Sequence, residues 1–561
     1  MQLVITEVSQ IQPYIFASNR MRENVGASFL VMQATEGWAL ETVKKVSPRN
    51  NIINISPAGG KSLDVRKRIE DTADALDAEV LYAGGGNFVA LFRNENYAKE
   101  FIKKLSHKIL TDAPGLQLTA VQQPFQWTES LYLKLMGALE ELEQQKRAWT
   151  PSAPLLGLGV TVMCRSTGMP AVDFRSSIEP QLDDDPDYPV SAEIIAKLQS
   201  VRDARRRLRN VIPPPEGYEY PVEVNHLGQA KGEYSYIAVA HIDGNDMGRR
   251  KKEIGEEYQD SSRNREYIRA IRAFSESVAE ASRKALETIN CKIVNCVKQE
   301  GGQHIIMPCK DKNIKKEGKQ RVPKVVLKYS NEGAWCLPVI PVVYGGDDVT
   351  FVCNGRLGIS LAIEYIREFE KETKASPACK NKKITSSAGI AIVKSHHPFA
   401  QAYRLAEELC SSAKRYRRKE SMAGSCLDWH FAVSGLSDTL ENMRQREYKV
   451  KRGWLTLRPV ALDDNEKHPL RSWQVINKGI IEFREPDWFE RRNKLKALRE
   501  ALRLGGDAVS QFLLKYEPKG LPIIDASLLD LSKRGWWGEY CGYFDAIELA
   551  DWFIPLEEDG Q

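Results

Sequence analysis

Two segments of this chain share one design: an apolar strand, a glycine-rich turn and a second apolar strand. They read EVLYAGGGNFVALF from Glu79 and PVIPVVYGGDDVTFVC from Pro338. Apolar runs flanking a glycine turn are a hairpin signal. Recurrence of the pattern within similar element orders marks diverged copies of one unit.

The first copy is preceded by the strand LVITEV, a helix over about 26–46 and the strand NIINIS. It is followed by a helix over about 94–110, the strand LQLTAV, a helix over about 130–147 and the strand LLGLGVTVMC. The second copy is preceded by the strand in YSYIAVAHIDGNDMG and a helix over about 262–289. After it come a helix over about 357–373, the strand ITSSAGIAIV, the amphipathic helix PFAQAYRLAEELCSSAKRYRR and the strand LDWHFAV. The order β, α, β-hairpin, α, β, α is ferredoxin-like. The expected fold class is therefore α+β: two ferredoxin-like units at 1–165 and 231–435, arranged as a pseudo-symmetric pair with ligand sites at their interface. Between them, 166–230 holds an acidic loop over 169–187, a basic helix over about 192–210 and the proline-rich VIPPPEGYEYP, which ends that helix. Residues 436–561 read as mainly helical, with an aromatic-rich stretch WWGEYCGYFDAIELADWF, as in a packing or docking domain.

Length and composition agree. A chain of 561 residues accommodates roughly three or four domains, each with its own core. Its 42% apolar and 28% charged residues exclude a disordered or fibrous protein. No apolar run approaches the roughly 20 residues of a membrane span. The start MQLVITEVSQ lacks a basic region and a small-residue cleavage site, so a first strand and a cytoplasmic location are expected.

The ten cysteines form no CxxC pair, which argues against a structural zinc site. Cys291, Cys296, Cys309 and His304 are near one another in sequence, but INCKIVNCV reads as a buried segment with free thiols. A net charge of +5 is too small to imply nucleic-acid binding. The distribution says more: Arg202, Arg205, Arg206, Arg207 and Arg209 cluster in one helix, and Lys414, Arg415, Arg417, Arg418 and Lys419 in another. Each cluster reads as a solvated face or as a contact for a phosphate-rich partner.

The acids carry the chemistry. Phosphoryl transfer from a nucleoside triphosphate needs divalent ions that bridge phosphate oxygens and activate a hydroxyl. Mg²⁺ takes one or two carboxylates, with water and phosphate completing its shell. Asp243 at the end of YIAVAHI, and Asp347 with Asp348 in the second hairpin turn, meet that need if their strands are neighbours, as in a ferredoxin-like sheet. Gly345 and Gly346 remove side chains where a nucleotide must approach. An ordinary hairpin with Gly and Asp as turn formers also accounts for the turn. Two adjacent aspartates after two glycines, matched by Asp243, weigh against it.

These residues resemble a known family. YGGDD, the strand end HIDGNDMG, ITSSAGIAI and AEELCSSAKRYRR are similar to the second palm domain of the large polymerase-cyclase subunit of type III CRISPR effectors, and more distantly to GGDEF diguanylate cyclases. IQPYIFASNRMRENVGASFLV and YAGGGNF resemble that subunit's first palm, so the likeness spans about residues 1–435. It implies Mg²⁺ or Mn²⁺ on Asp243 and Asp347, with Asp348 as a second ligand or a support, and ATP as substrate. Family members often have DxDNLG where this chain has Asp243-Gly244-Asn245-Asp246-Met247-Gly248, so Asn245 replaces a second acid. Lys414 and Arg418, one helical turn apart, match basic positions that contact phosphate in GGDEF-type domains. Gly84, Gly85, Gly86 and Asn87 lack carboxylates. The first palm is thus either metal-free scaffold or a nucleotide cradle that Asn24 and Ser28 help to line. None of the eight His residues is followed by Asp, so an HD-type nuclease is not expected, nor is the relatives' four-cysteine zinc module.

The resemblance implies an enzyme that joins ATP through 3′-5′ linkages into a cyclic oligoadenylate messenger, alongside other effector subunits and guide or target RNA. Two alternatives stay open: a catalytically quiet scaffold gripping a guide ribonucleoprotein, and a stand-alone palm enzyme, a homo-oligomer in that case, making another nucleotide messenger or conjugate.

Overall fold

The computed structural model of the protein describes residues 1–56, 60–71, 75–148, 159–178, 187–228, 235–308, 323–330, 333–432, 438–489, 491–517 and 520–556. The first sheet begins with β1 (Gln2–Ser9), followed by α1 (Ile11–Phe16) and α2 (Met21–Met32). A π turn (Gln33–Gly37) carries α2 into α3 (Trp38–Val46), so the expected helix starts earlier than its periodicity suggested. The hairpin strands are β2 (Ala78–Gly84) and β3 (Asn87–Phe92). Next comes α4 (Glu95–Asp112), capped by the Asn94 side chain, which accepts the Tyr97 N–H at 3.0 Å. Then follow β4 (Gln117–Pro124) and α5 (Leu131–Ala148). The strand order is β2-β3-β1-β4, antiparallel throughout.

Of the strand expected at LLGLGVTVMC, the described residues 159–164 do not join this sheet. Residues 155–158 lie outside the described ones, and 159–164 form a turn and one bridge, with Val160 and Val162 exposed. Gly159 denies the described part of the run a side chain with which to pack on a sheet. The expected loop over 169–187 contains a short strand, Asp173–Phe174, paired with Pro189–Val190; residues 179–186 lie outside the described ones. The basic helix is two, α6 (Ala192–Gln199) and α7 (Val201–Val211).

The second sheet is built from β5 (Tyr236–Gly244), β6 (Val339–Val343), β7 (Asp348–Asn354), β8 (Ser386–Lys394), β9 (Cys426–Ala432) and β10 (Val460–Ala461). Its order is β6-β7-β5-β8-β9-β10. The first four strands repeat the first sheet position for position, and β9 is added in parallel. Residues 237–242 of β5 are all buried, as a central strand covered on both faces requires. The associated helices are α8 (Met247–Glu256), α9 (Asn264–Asn295), α10 (Gly358–Ala375) and α11 (Phe399–Lys419). A Cβ on Gly389 of β8 would sit 2.0 Å from the Ala406 carbonyl oxygen of α11. Only glycine lets that helix approach so closely, which sets the depth at which its later side chains meet the sheet.

INCKIVNCV is the end of α9 rather than a wholly buried segment. Helical geometry turns Cys291 outward to an exposed position while Cys296 is buried, and Cys309 lies outside the described residues. A small sheet of Val297–Glu300, Gln303–Ile306 and Val325–Val326 follows.

The two large sheets are joined by charge as well as by apolar packing. Arg265 of α9 pairs with Glu70 and with Glu79 of β2, and Arg272 reaches Glu79 at 3.1 Å and the Leu81 carbonyl at 2.9 Å. Glu79 is fully buried. Removing it would leave the buried Arg272 guanidinium without its carboxylate while Arg265 keeps Glu70, a loss of about 3–5 kcal/mol.

Beyond the second sheet come α12 (Leu440–Tyr448), α13 (Trp473–Phe483), α14 (Pro486–Phe489), α15 (Arg492–Leu504), α16 (Gly506–Tyr516), α17 (Leu531–Arg534) and α18 (Phe544–Ala550). The aromatic-rich stretch is not one helix. Trp536–Trp537 and Tyr540–Cys541 form a hairpin in a four-stranded sheet with Lys449–Val450 and Gly453–Trp454, because Gly538 at φ 59° turns the chain. This region is anchored by Arg458, buried against Asp545 at 3.1 Å and Glu548 at 3.4 Å. Among the described residues, no helix is long and apolar enough to cross a membrane.

Candidate functional site

β5 and β7 run side by side with Asp243 directly opposite Asp348, and the Gly244 N–H donates to the Asp347 carbonyl at 3.1 Å. The two acid motifs, 104 residues apart in sequence, thus meet at one end of the second sheet. A Cβ on Gly244 would lie 2.9 Å from the Asp347 Cβ, so this glycine makes room for the acid. Lys414 of α11 pairs with the Asp243 carboxylate. Desolvation, and then Asp243, push the Asp347 carboxyl above the usual carboxylate range. Desolvation together with Asp243 and Asp347 pushes Asp348 up to about 8. Crowded carboxylates of this kind favour a cation as their neighbour.

Asp348 is held on one oxygen, and its Oδ1 is buried without a hydrogen-bond partner, the nearby His241 Nδ1 contacting Thr350 Oγ1 at 3.1 Å. Gln12 of α1 donates to its Oδ2 at 3.1 Å, and the Nδ1 of His241 lies 3.3 Å from its Oδ1. Burial pushes the His241 imidazole below its ordinary pKa. Asn245 does not face the acids. It is buried, donates to Thr385 Oγ1 at 3.1 Å and accepts from Ser387 Oγ at 2.9 Å. Its amide ties the β5 end to β8, work that a carboxylate, lacking a donor, cannot do. Asp246 adopts φ 60° and is bound by Arg417 at 2.7 Å. Arg418, the expected partner of Lys414, is exposed and acts on Asp246 only at longer range, so Arg417 is the contacting residue of that turn.

Among the described residues no three His, Cys, Asp or Glu side chains converge into a ready-made metal cage. The donor set that Mg²⁺ wants is present in another form: oxygen-only carboxylates on adjacent strands, at a site open for water and phosphate to complete the shell.

A cleft of about 410 Å³ lies between the two hairpins, within the usual range for small-molecule sites. One wall is Tyr82, Gly84, Gly85, Glu36 and Lys61; the other is Tyr344, Gly345, Gly346 and Asp347, with Lys251 and Arg207 at its edge. The Arg207 guanidinium lies 5.3 Å from the Tyr344 ring centroid. Lys61 pairs with Glu36 at 3.4 Å and donates to the Ala83 carbonyl. Of the other residues expected here, Gly86 and Asn87 sit in the first turn away from the cleft wall. Asn24 is buried on α2, Ser28 is half-buried, and neither lines the cleft. A larger groove of about 720 Å³ follows the outer face of α11 near Ser411, Arg415, Lys419 and Trp454, away from the acids.

Sequence reasoning missed Gln12, His241, Glu36, Lys61 and Lys251. Arg207 and Arg417 were inside the arginine clusters, and Lys251 belongs to an unremarked basic run, MGRRKKE, just after the first acid motif. Gln12 carried no signal beyond its place in IQPYIF.

Residues 236–423 match the Cas10/Cmr2 second palm domain family. The motif resemblance to the polymerase-cyclase subunit is borne out over that segment, which contains all three acids and Lys414. No curated protein sequence matches the chain. Similar solved structures include the Csm1-Csm4 cassette in complex with cA4 (13% identity, 98% of this chain against 69% of that chain, TM-score 0.43). Others are the same cassette in complex with one ATP (12%, 98% against 70%, 0.44) and the Csm1-Csm4 subcomplex of the type III-A CRISPR-Csm interference complex (14%, 98% against 69%, 0.44).

Proposed function

We propose that this chain is a Mg²⁺- or Mn²⁺-dependent nucleotidyltransferase of the palm type, converting ATP into a cyclic oligoadenylate-type messenger as a subunit of a type III CRISPR-like effector. The observation that carries the reading is the pairing of Asp243 with the Asp347-Asp348 turn, beside a glycine-walled cleft, inside the segment matched to the Cas10/Cmr2 second palm. Residues 1–165 form the metal-free palm, 231–435 the catalytic palm, and 166–230 the linker. Residues 436–561 form a C-terminal domain that adds a small sheet to its helices. The repeated strand order supports a pseudo-symmetric pair of palms.

When bound, the metal neutralises phosphate charge and makes an acceptor hydroxyl more acidic. Asp243 and Asp347 offer it oxygens from adjacent strands, with Asp348 supporting them. Lys414 holds Asp243 until phosphate arrives, then has an anion of its own to meet. Lys251 brings a second positive charge near Asp347. Gly345 and Gly346 leave the backbone open to the nucleotide, while the Glu79-Arg272 clamp fixes the spacing of the two hairpins. The exposed arginines of α7 favour contact with RNA or other effector subunits.

The test is incubation with labelled ATP and Mg²⁺, alone and within a target-RNA-bound effector, with products read by mass spectrometry. An oligoadenylate that disappears in Asp347→Asn is expected. Absence of any Asp347-dependent product with every nucleoside triphosphate, in both settings, sinks the proposal.

A further inference from the structure

Resting on the metal-site reading above, we infer that Gln12 and Tyr403 are positioning residues that let the first sheet's N-terminal helix set the orientation of Asp348. Gln12 is far from Asp348 in sequence, yet its amide is fixed at both ends. Its Nε2 donates to Asp348 Oδ2 at 3.1 Å, and its Oε1 accepts from the Tyr403 hydroxyl. Because the Tyr403 proton goes to Oε1, the amide is oriented with its NH₂ toward the carboxylate. Tyr403 is itself held by Phe16 of the same α1, whose ring stacks on it at 3.6 Å and 15°. The other Asp348 oxygen has no hydrogen-bond partner, since the His241 Nδ1 3.3 Å away is engaged by Thr350, so Gln12 supplies the directional contact to this carboxylate. A short helix of the first sheet therefore reaches across to α11 of the second and ends on a carboxylate of the candidate metal centre.

The consequence is a division of labour between the adjacent acids. With Oδ2 engaged by Gln12, Asp348 is restrained in one rotamer, and its charge is held beside Asp347 and Asp243 rather than free to swing. A displacement of α1 relative to α11 breaks the Gln12 contact first, because the Phe16-Tyr403 stack tolerates sliding better than a directional hydrogen bond does. Metal affinity is thereby tied to how the two sheets are docked. Outer hydrogen-bond partners of metal-ligating carboxylates typically control about 10–100-fold in metal affinity.

The test titrates the full-length protein with Mn²⁺ and reads the free ion by electron paramagnetic resonance, comparing the parent with Gln12→Ala, Tyr403→Phe and Asp347→Asn. Gln12→Ala is expected to weaken Mn²⁺ binding about 10-fold, and Tyr403→Phe, which keeps the ring stack, about 3-fold. In pyrophosphate release the half-saturating Mn²⁺ concentration should rise while KM for ATP at saturating Mn²⁺ stays put, a split that general unfolding does not produce. If Gln12→Ala does not fold, Tyr403→Phe decides alone. Mn²⁺ binding that is lost in Asp347→Asn but unchanged in the positioning variants overturns this inference and leaves the proposed function standing. A parent that takes up no Mn²⁺ with or without ATP overturns this inference, while the labelled-ATP assay decides the proposed function separately.

Discussion

The two glycine hairpins look alike in sequence and end differently in space. In the first, pairing continues to Gly84 opposite Asn87, so Gly85 and Gly86, at φ 61° and 84°, form a closed two-residue turn. In the second, hairpin pairing is given up after Val343 and Thr350, and the Asp348 end of β7 stays paired with β5 instead. The first turn is sealed by its own ladder; the second opens as a wider loop that presents its acids to a neighbouring strand. The comparison extends to the strand beside each turn. Glu7 lies opposite Asn87 as Asp243 lies opposite Asp348, and Lys146 of α5 pairs with Glu7 at 2.9 Å as Lys414 of α11 pairs with Asp243. Each sheet therefore keeps a lysine-carboxylate pair at the same place. Only the second surrounds it with two further acids, which turns a structural ion pair into a candidate site.

The sharpest way to break this comparison is to remove one acid from each sheet. Asp347→Asn should lower nucleotide transfer by on the order of 10³-fold or more, whereas Glu7→Gln leaves the rate near the parent's, both read as pyrophosphate release. Equal losses would mean the first sheet is as much a part of the chemistry as the second. The lysines come next. Lys414→Ala should reduce the rate about 10–100-fold through lost phosphate contact. Lys146→Ala, removing a half-exposed ion pair, should change only stability, by less than about 1 kcal/mol in denaturant titration.

The turns themselves differ by less. Gly86→Ala should destabilise by about 1–2 kcal/mol, because its φ is positive and a Cβ would meet Ile11 Cδ1 at 2.8 Å. Gly346 has neither constraint, since a Cβ there meets nothing within 4 Å, so Gly346→Ala should leave the melting temperature unchanged while narrowing the cleft. The smallest effect is on pH dependence. Asp348 has its pKa raised to about 8 in the folded state, above an ordinary carboxylate, so the stability its protonated form contributes is present in acid and lost as pH rises through about 8. Without divalent metal, Asp348→Asn should therefore melt about 1–3 °C above the parent at pH 9 and converge with it near pH 4. A gap that widens in acid would contradict the raised pKa.

Much of the candidate site was legible from sequence because it is local. Asp243 ends a strand, Asp347 and Asp348 occupy a turn, and both patterns are written in consecutive residues. Lys414 was visible from its place on the amphipathic helix. Arg418 was singled out beside it by the resemblance to phosphate-contacting positions, whereas Arg417, in the same basic run, is the residue that meets Asp246 in the structure. Asn24 and Ser28 were expected to help line the pocket because their segment RENVGAS, like the glycine turn, resembles the first palm. They lie about two to three turns before Glu36, the residue of that helical stretch that does line the cleft.

The chain by itself determined most of the strand and helix order of the two large sheets, the repeated hairpin and the three acids, since each follows from side-chain periodicity and turn chemistry within a short window. Tertiary structure decided which hairpin opens, where Asn245 points, and that Gln12 ends on Asp348. Those outcomes depend on contacts between residues a hundred or more positions apart, whose geometry is set by how closely two sheets and their helices pack. No local pattern encodes that distance.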